Sequence, residues 1–242
     1  MQTRMLPLAA AFAALVTAAS CSTMRGHRYV EVLSDTSRVS CWGSSPGAPF
    51  GPRFAQSPVV VSPDRQFQAY AVVEALAEDT NDPDRRTCHN VSRLYVSGPS
   101  NHFENVFTQN PTAEGENGNS LSIVDWAPDG RTLLLRMPTW TYHTEENPPL
   151  ILLYDALAHR VTQVDIDGLL RGKYAKKCSV WREPEGFTPE GHLVIRTSPA
   201  GDRLYGPDCI DHDVLWIYHP ESSSIEALPP SYQVVRYGSM VE

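Results

Sequence analysis

Apolar and polar positions alternate along the chain in a pattern that returns three times. The segments "VVVSPDRQFQAYAV" from Val59, "SIVDWAPDGRTLLLRM" from Ser122 and "EGFTPEGHLVIRT" from Glu185 each read as an apolar run, a polar corner and a second apolar run. Aligned on Pro63, Pro128 and Pro189, they are separated by 65 and 61 residues, and an acid follows every proline: Asp64, Asp129 and Glu190. Gly130 and Gly191 come next in two corners, while Arg65 holds that position in the first. Proline presets φ, the acidic side chain accepts backbone N–H groups just beyond it, and glycine takes the positive φ that closes the reversal. Strand, corner, strand is the prediction at all three places. The following strands, "FQAYAVV", "TLLLRM" and "HLVIRT", are rich in apolar and β-branched residues, as expected of strands covered on both faces.

A second pattern follows the first. "SRLYVSGPSNHFENVF", "LILLYDALAHRVTQV" and "VLWIYHPESSSIEAL" each hold an apolar strand with a tyrosine, a polar turn and another strand. Tyr95, Tyr154 and Tyr218 lie 32, 26 and 29 residues after their prolines. The two markers together define a unit of four strands in about 60 residues, repeated three times, which is longer than the ~40 to 50 residues of a common propeller blade. With 20 prolines and 15 glycines in 242 residues, short strands and turns are expected throughout, and the fold class predicted is all-β. "DIDG" (165–168) reads as a turn between units.

"WAPDGRTLLL" followed by "LLYDALAHRVTQV" resembles the repeat of TolB-like, WD-repeat-like β-propellers: a strand, W-S-P-D-G, a strand, a strand ending in tyrosine-x-Asp, and a closing strand. The resemblance covers residues 58–228, is closest in the middle repeat, and departs at Arg65, Thr188 and Glu190. It implies a β-propeller-like body of three four-stranded repeats. Closed propellers have four to eight blades, so a further sheet is expected from the ends, with "HRYVEVL" (27–33) and "YQVVRYG" (232–238) closing the ring. An incomplete propeller and closure by self-association are the alternatives.

Residues 1–20 are read as an export signal, 21–57 as a tether with the first strand, and 58–242 as the repeat domain. The leader has Arg4 near its start and then 15 uncharged residues from Met5 to Ala19, short for a bilayer span of roughly 20 but suited to a signal h-region. "AASC" resembles the lipobox of bacterial lipoproteins. That resemblance implies acylation of Cys21 and a membrane tether, and Ser22, where an Asp would signal inner-membrane retention, implies the outer membrane, facing the periplasm. Cleavage after Ala18 or Ser20, giving a free soluble protein, is the alternative.

Committing Cys21 to lipid leaves four cysteines, which permit three pairings. Cys88 and Cys209 occupy equivalent insertions in their units, and Cys41 and Cys178 both precede a corner, beside Trp42 and Trp181. Equivalent positions predict equivalent bonds, Cys41–Cys88 and Cys178–Cys209, as an oxidising compartment favours.

The formal charge of −8 argues against nucleic acid as a partner, because that affinity rests on Lys and Arg neutralising phosphates. "GSSPG" around Ser45 matches G-x-S-x-G, but the prolines that follow it prevent the helix a nucleophile elbow needs. The acidic loops "DCIDHD" (Asp208, Asp211, His212, Asp213) and "EDTNDPD" (Glu78, Asp79, Asp82, Asp84) lack the EF-hand glycine and are read as solvated. The eight histidines are scattered, with no H-E-x-x-H pair, and no P-loop or dinucleotide fingerprint is present, so no cofactor and no catalytic residue is assigned. Trp126, Trp181 and Trp216 are expected to pack between sheets. Trp140 and Tyr142, at the start of a polar loop, are the candidates for exposed ligand contact. The expectation is a non-enzymatic envelope lipoprotein that binds a protein or envelope component through its loops. The alternative is a periplasmic hydrolase, which would require His212, Asp211 or Glu145 to converge with a Ser or Tyr in one deep pocket.

Overall fold

A computed structural model describes residues 53–79, 86–110, 117–141, 146–174, 178–201 and 207–241. All of them fall in one contact unit, Glu31–Glu242. Strands take 59% of the described residues and helix 6%, so the fold is all-β, built from antiparallel sheets.

The first sheet contains β1 (Arg53–Gln56), β2 (Val59–Val61), β3 (Gln68–Asp79), β4 (Arg86–Ser97) and β5 (Phe103–Gln109). The second contains β6 (Asn117–Asn119), β7 (Ser122–Trp126), β8 (Thr132–Thr141), β9 (Glu146–Asp155) and β10 (Arg160–Gln163). Helix α1 (Ile166–Tyr174) leads to the third sheet, β11 (Val180–Phe187), β12 (Leu193–Pro199), β13 (Val214–His219) and β14 (Ser224–Ala227). Strand β15 (Ser239–Val241) returns to the first sheet and pairs with β2. Each repeat read from the sequence is thus a four-stranded meander: β2 to β5, β7 to β10, and β11 to β14.

The corners are alike in backbone terms. The carbonyls of Ser62, Ala127 and Thr188 accept the N–H groups of Arg65, Gly130 and Gly191, each at 2.9 Å, and those three donors have φ of 59°, 72° and 90°. Asp64 and Asp129 accept the N–H two residues on, at 3.1 and 2.9 Å. At the third corner Thr188 Oγ1 accepts the His192 N–H instead, at 3.3 Å. The turns after the tyrosines also share a feature: Asn101, His159 and Ser223 all take positive φ. The two sets of turn residues are why the meanders repeat.

Two cores flank the middle sheet. Leu133, Leu135, Leu152 and Tyr154 face the first sheet's Val60, Ala69, Ala71 and Leu94. On the other side Leu134 and Ile151 meet Phe187, Leu193, Ile195 and Trp216 of the third sheet, with Ile166 and Leu170 of α1. Successive strand residues point to opposite faces, so the unbroken Leu133-Leu134-Leu135 run serves both cores. Trp126 is fully buried, and its Nε1 donates to Val60 O of the neighbouring sheet at 3.4 Å.

The predicted closing strand at 232–238 does not form, and its expected partner at 27–33 lies outside the described residues. The tail instead laces the first strands of all three meanders. Val235 makes a single bridge to Phe187, Tyr237 and Gly238 donate their N–H groups to Asp125 in β7 at 3.1 and 2.9 Å, and β15 then pairs with β2. The reason lies in two β-bulges. Register shifts at Ile123/Asp125 and Pro184/Gly186 leave Val124 and Glu185, each four residues before a corner proline, outside their ladders. A bulged carbonyl must find another donor. The Arg236 guanidinium supplies it to both, at 3.1 Å to Val124 O and 2.9 Å to Glu185 O. Gly186 admits the tail because a Cβ there would lie 2.7 Å from Val234 Cγ1.

The segment 165–168, expected as a turn, opens α1. Asp165 Oδ1 accepts the Gly168 N–H at 3.4 Å, and Ile166 and Leu170, four apart, bury on one face. An N-cap aspartate followed by that spacing is a helix start.

Arg65→Gly should raise stability by roughly 0.5 kcal/mol, since relief of left-handed strain slightly exceeds glycine's extra chain entropy. Gly130→Ala, whose Cβ would sit 2.7 Å from the Asp64 carboxyl, should lower it by about 1 to 3 kcal/mol. Urea denaturation of the two variants checks both signs.

Burial pushes the Asp125 carboxyl up to about 6, against the lowering effect of the Gly238, Tyr237 and Trp126 amides and of Arg236. The folded state therefore holds this proton more tightly than the unfolded chain. Its stabilising contribution is complete below pH 3.8 and is lost as pH rises through about 6. Asp125→Asn does not titrate. The variant should be most harmful, relative to the native protein, near pH 4 and recover by up to about 3 kcal/mol of that difference by pH 7. Urea midpoints at the two pH values read this directly.

Candidate functional site

Between the first and second sheets lies a cleft of about 270 Å³. One wall is the β4–β5 turn, Gly98 to His102, with Glu104 and Val106 of β5; the other is the β9–β10 turn, with Ala156, Leu157 and His159. Phe67, Val96 and Tyr154 line it as well.

Local sequence builds both walls. After Pro99, Asn101 adopts φ 54° and donates its N–H to Gly98 O at 3.0 Å, a tight reversal. In the other wall Asp155 Oδ1 accepts the N–H groups of Leu157 and Ala158, both at 2.9 Å, which holds the carboxyl below its ordinary range. His159 closes that turn at φ 49°. Phe67 is fixed by stacking on Trp126, with centroids 6.1 Å apart.

The Tyr154 side chain is buried, and its hydroxyl lies 3.4 Å from His159 Nδ1. Burial, with Asp155 and Glu104 adding to it, raises this phenol to about 12. It stays neutral at physiological pH and serves as a hydrogen-bonding group, not a nucleophile. Apolar walls with a few convergent polar groups are the arrangement expected of a ligand site.

The residues singled out from sequence lie elsewhere. Trp140, expected in an exposed loop, is in strand β8 and only 2% exposed. Strand alternation turns it inward, and Gly118 on the paired β6 leaves the space: a Cβ at 118 would lie 2.1 Å from the indole. Tyr142, Glu145, Ser45, Cys21 and Cys41 lie outside the described residues, as does the pairing assigned to Cys88. Asp211 and His212 bond to each other at 2.5 Å on the surface, 95% and 75% exposed, and do not line the cleft. Among the described residues no group of three or more His, Cys, Asp or Glu is placed to hold a metal ion.

Cys178 and Cys209 are joined by a disulfide, with Cα atoms 5.0 Å apart. Asp208, read as a solvated loop carboxylate, instead accepts the N–H groups of Ala200 and Gly201 at 2.8 and 3.0 Å. Together they pin the β12–β13 insertion to the start of β11, where Cys209 N donates to Ser179 O at 3.0 Å.

Sequence reasoning passed over Glu104, His102 and His159 because each looks isolated in the chain. The signal available was the repeated tyrosine: the turns following Tyr95 and Tyr154 are equivalent, and equivalent turns of packed meanders meet. No protein-family model and no curated protein matches this chain.

Replacing Cys178 and Cys209 with alanine should cost about 3 to 4 kcal/mol for their 31-residue separation. Thermal melts of the double variant, compared with the native protein with and without reductant, measure the loss.

Proposed function

We propose that this protein is a non-enzymatic, lipid-anchored module of the cell envelope whose consecutive meanders stack as propeller-like blades and whose cleft between the first two blades receives a ligand or a partner's side chain. The cleft carries this reading: an apolar interior edged by Glu104, His102 and His159, with the neutral Tyr154 buried at its base. The TolB-like repeat and the antiparallel meanders support the propeller-like stacking, with the tail in place of a further blade. The signal-like leader and the lipobox-like "AASC" support export and tethering through Cys21.

Gly98→Leu tests the site. Its backbone is not in the left-handed region, and a Cβ there meets only Phe67, at 3.7 Å, so a larger side chain fills the cleft without disturbing the fold. Small ring-shaped compounds screened by amide chemical shifts should perturb residues 98–102 and 154–159 in the native protein and not in the variant. Perturbations confined to other surfaces would refute the assignment. In cells that produce the full chain, Cys21→Ala should move the protein from the membrane to the soluble envelope fraction.

A further inference from the structure

The charge around the cleft is one-sided. Of the residues that line it, Glu104 is the one acid, and no Lys or Arg is among them. Asp155 sits just behind Tyr154 and is itself balanced by Arg160 and Arg131. Asp155 and Glu104, in that order, nevertheless set the sign of the potential at the Tyr154 hydroxyl, and Glu104 is the acid on the cleft wall itself. The Tyr154 hydroxyl senses it, since Glu104 and Asp155 both disfavour a negative charge on that oxygen. A field that penalises an anion at a point stabilises a cation there.

The remaining contacts suit a cation with an apolar body. Phe67, half-buried, supplies an aromatic ring, and a ring attracts an ammonium group more strongly as water is removed. Val106 and Leu157 add apolar surface, with Val96, Ala156 and Tyr154 buried beneath them. At about 270 Å³ the cleft is just below the ~300 to 1,000 Å³ of drug-sized ligand pockets, which suits a small ligand.

We propose that the cleft binds a small organic cation, an ammonium group on a compact apolar or aromatic body, with Glu104 as its counter-ion. The inference rests on the cleft being a ligand site and adds the charge and class of what enters it.

A matched series decides the matter: 2-phenylethylamine as the cation, 2-phenylethanol as its neutral isostere and phenylacetate as the anion, each titrated by calorimetry and amide shifts. The amine should bind about tenfold more tightly than the alcohol, with shifts at residues 98–104 and 154–159, and phenylacetate more weakly still. Glu104 is exposed, so Glu104→Gln should leave the amide spectrum otherwise intact. It should weaken the amine about tenfold and leave the alcohol unchanged. Equal or tighter binding of the alcohol or phenylacetate overturns the inference, as does an amine affinity within about twofold in Glu104→Gln. If other ring compounds occupy the cleft while the amine does not, the cationic class alone falls. If nothing occupies it, the binding-site reading falls too.

Discussion

Two backbone carbonyls that no strand can satisfy hold this fold together. The bulges at Val124 and Glu185 turn oxygen atoms out of two separate ladders, and one guanidinium, Arg236, answers both. Leaving a buried acceptor unmade costs about 1 to 3 kcal/mol, so the position of the tail is dictated by demand from two sheets at once. Asp125 completes the arrangement by accepting the next amides of the same tail. Arg236 also lies close enough to the buried Asp125 and Glu185 for both carboxylates to favour its charge, while burial alone would lower its pKa. Glu185 has its own partner in Arg196, at 2.6 Å. The result is a charged network in which each buried ion faces an opposite one, as burial of charge requires.

The middle sheet explains why a tail is needed at all. It has a core on each face, whereas the first and third sheets touch it from opposite sides and, among the described residues, share no core cluster with each other. Hydrophobic contact joins neighbours in sequence order, first to second and second to third. The link running across all three is polar and directional. It passes from Phe187 through Asp125 to β2, and so fixes the register that apolar packing leaves loose.

Much of this was legible in the residues because turns are local. Pro-Asp-Gly at 128–130 and Pro-Glu-Gly at 189–191 specify their reversals within four residues, and Arg65 proves able to take the position glycine holds in the others. The tyrosine-marked hairpins were equally readable. What escaped depends on distant partners. Trp140 reads as a loop aromatic until Gly118, on a different strand, is seen beneath it. "YQVVRYG" reads as a strand because its composition is strand-like, yet Arg236 and the Tyr237 and Gly238 amides are committed to side-on contacts 112 and 113 residues away. Helix α1 was hidden by the Gly168 and Gly172 that interrupt its pattern. The cleft was not legible because its two walls are 50 or more residues apart and become a site only through packing.

The lacing of the sheets by residues 234–241 also orders events in time. During synthesis every meander emerges before the segment that joins them, so each can pair its strands by short-range search, and the crossing contacts come last. Interactions formed late in folding govern how fast a protein comes apart more than how fast it assembles. Arg236, whose contacts join sheets that have already formed, thus acts as a brake on escape from the native state.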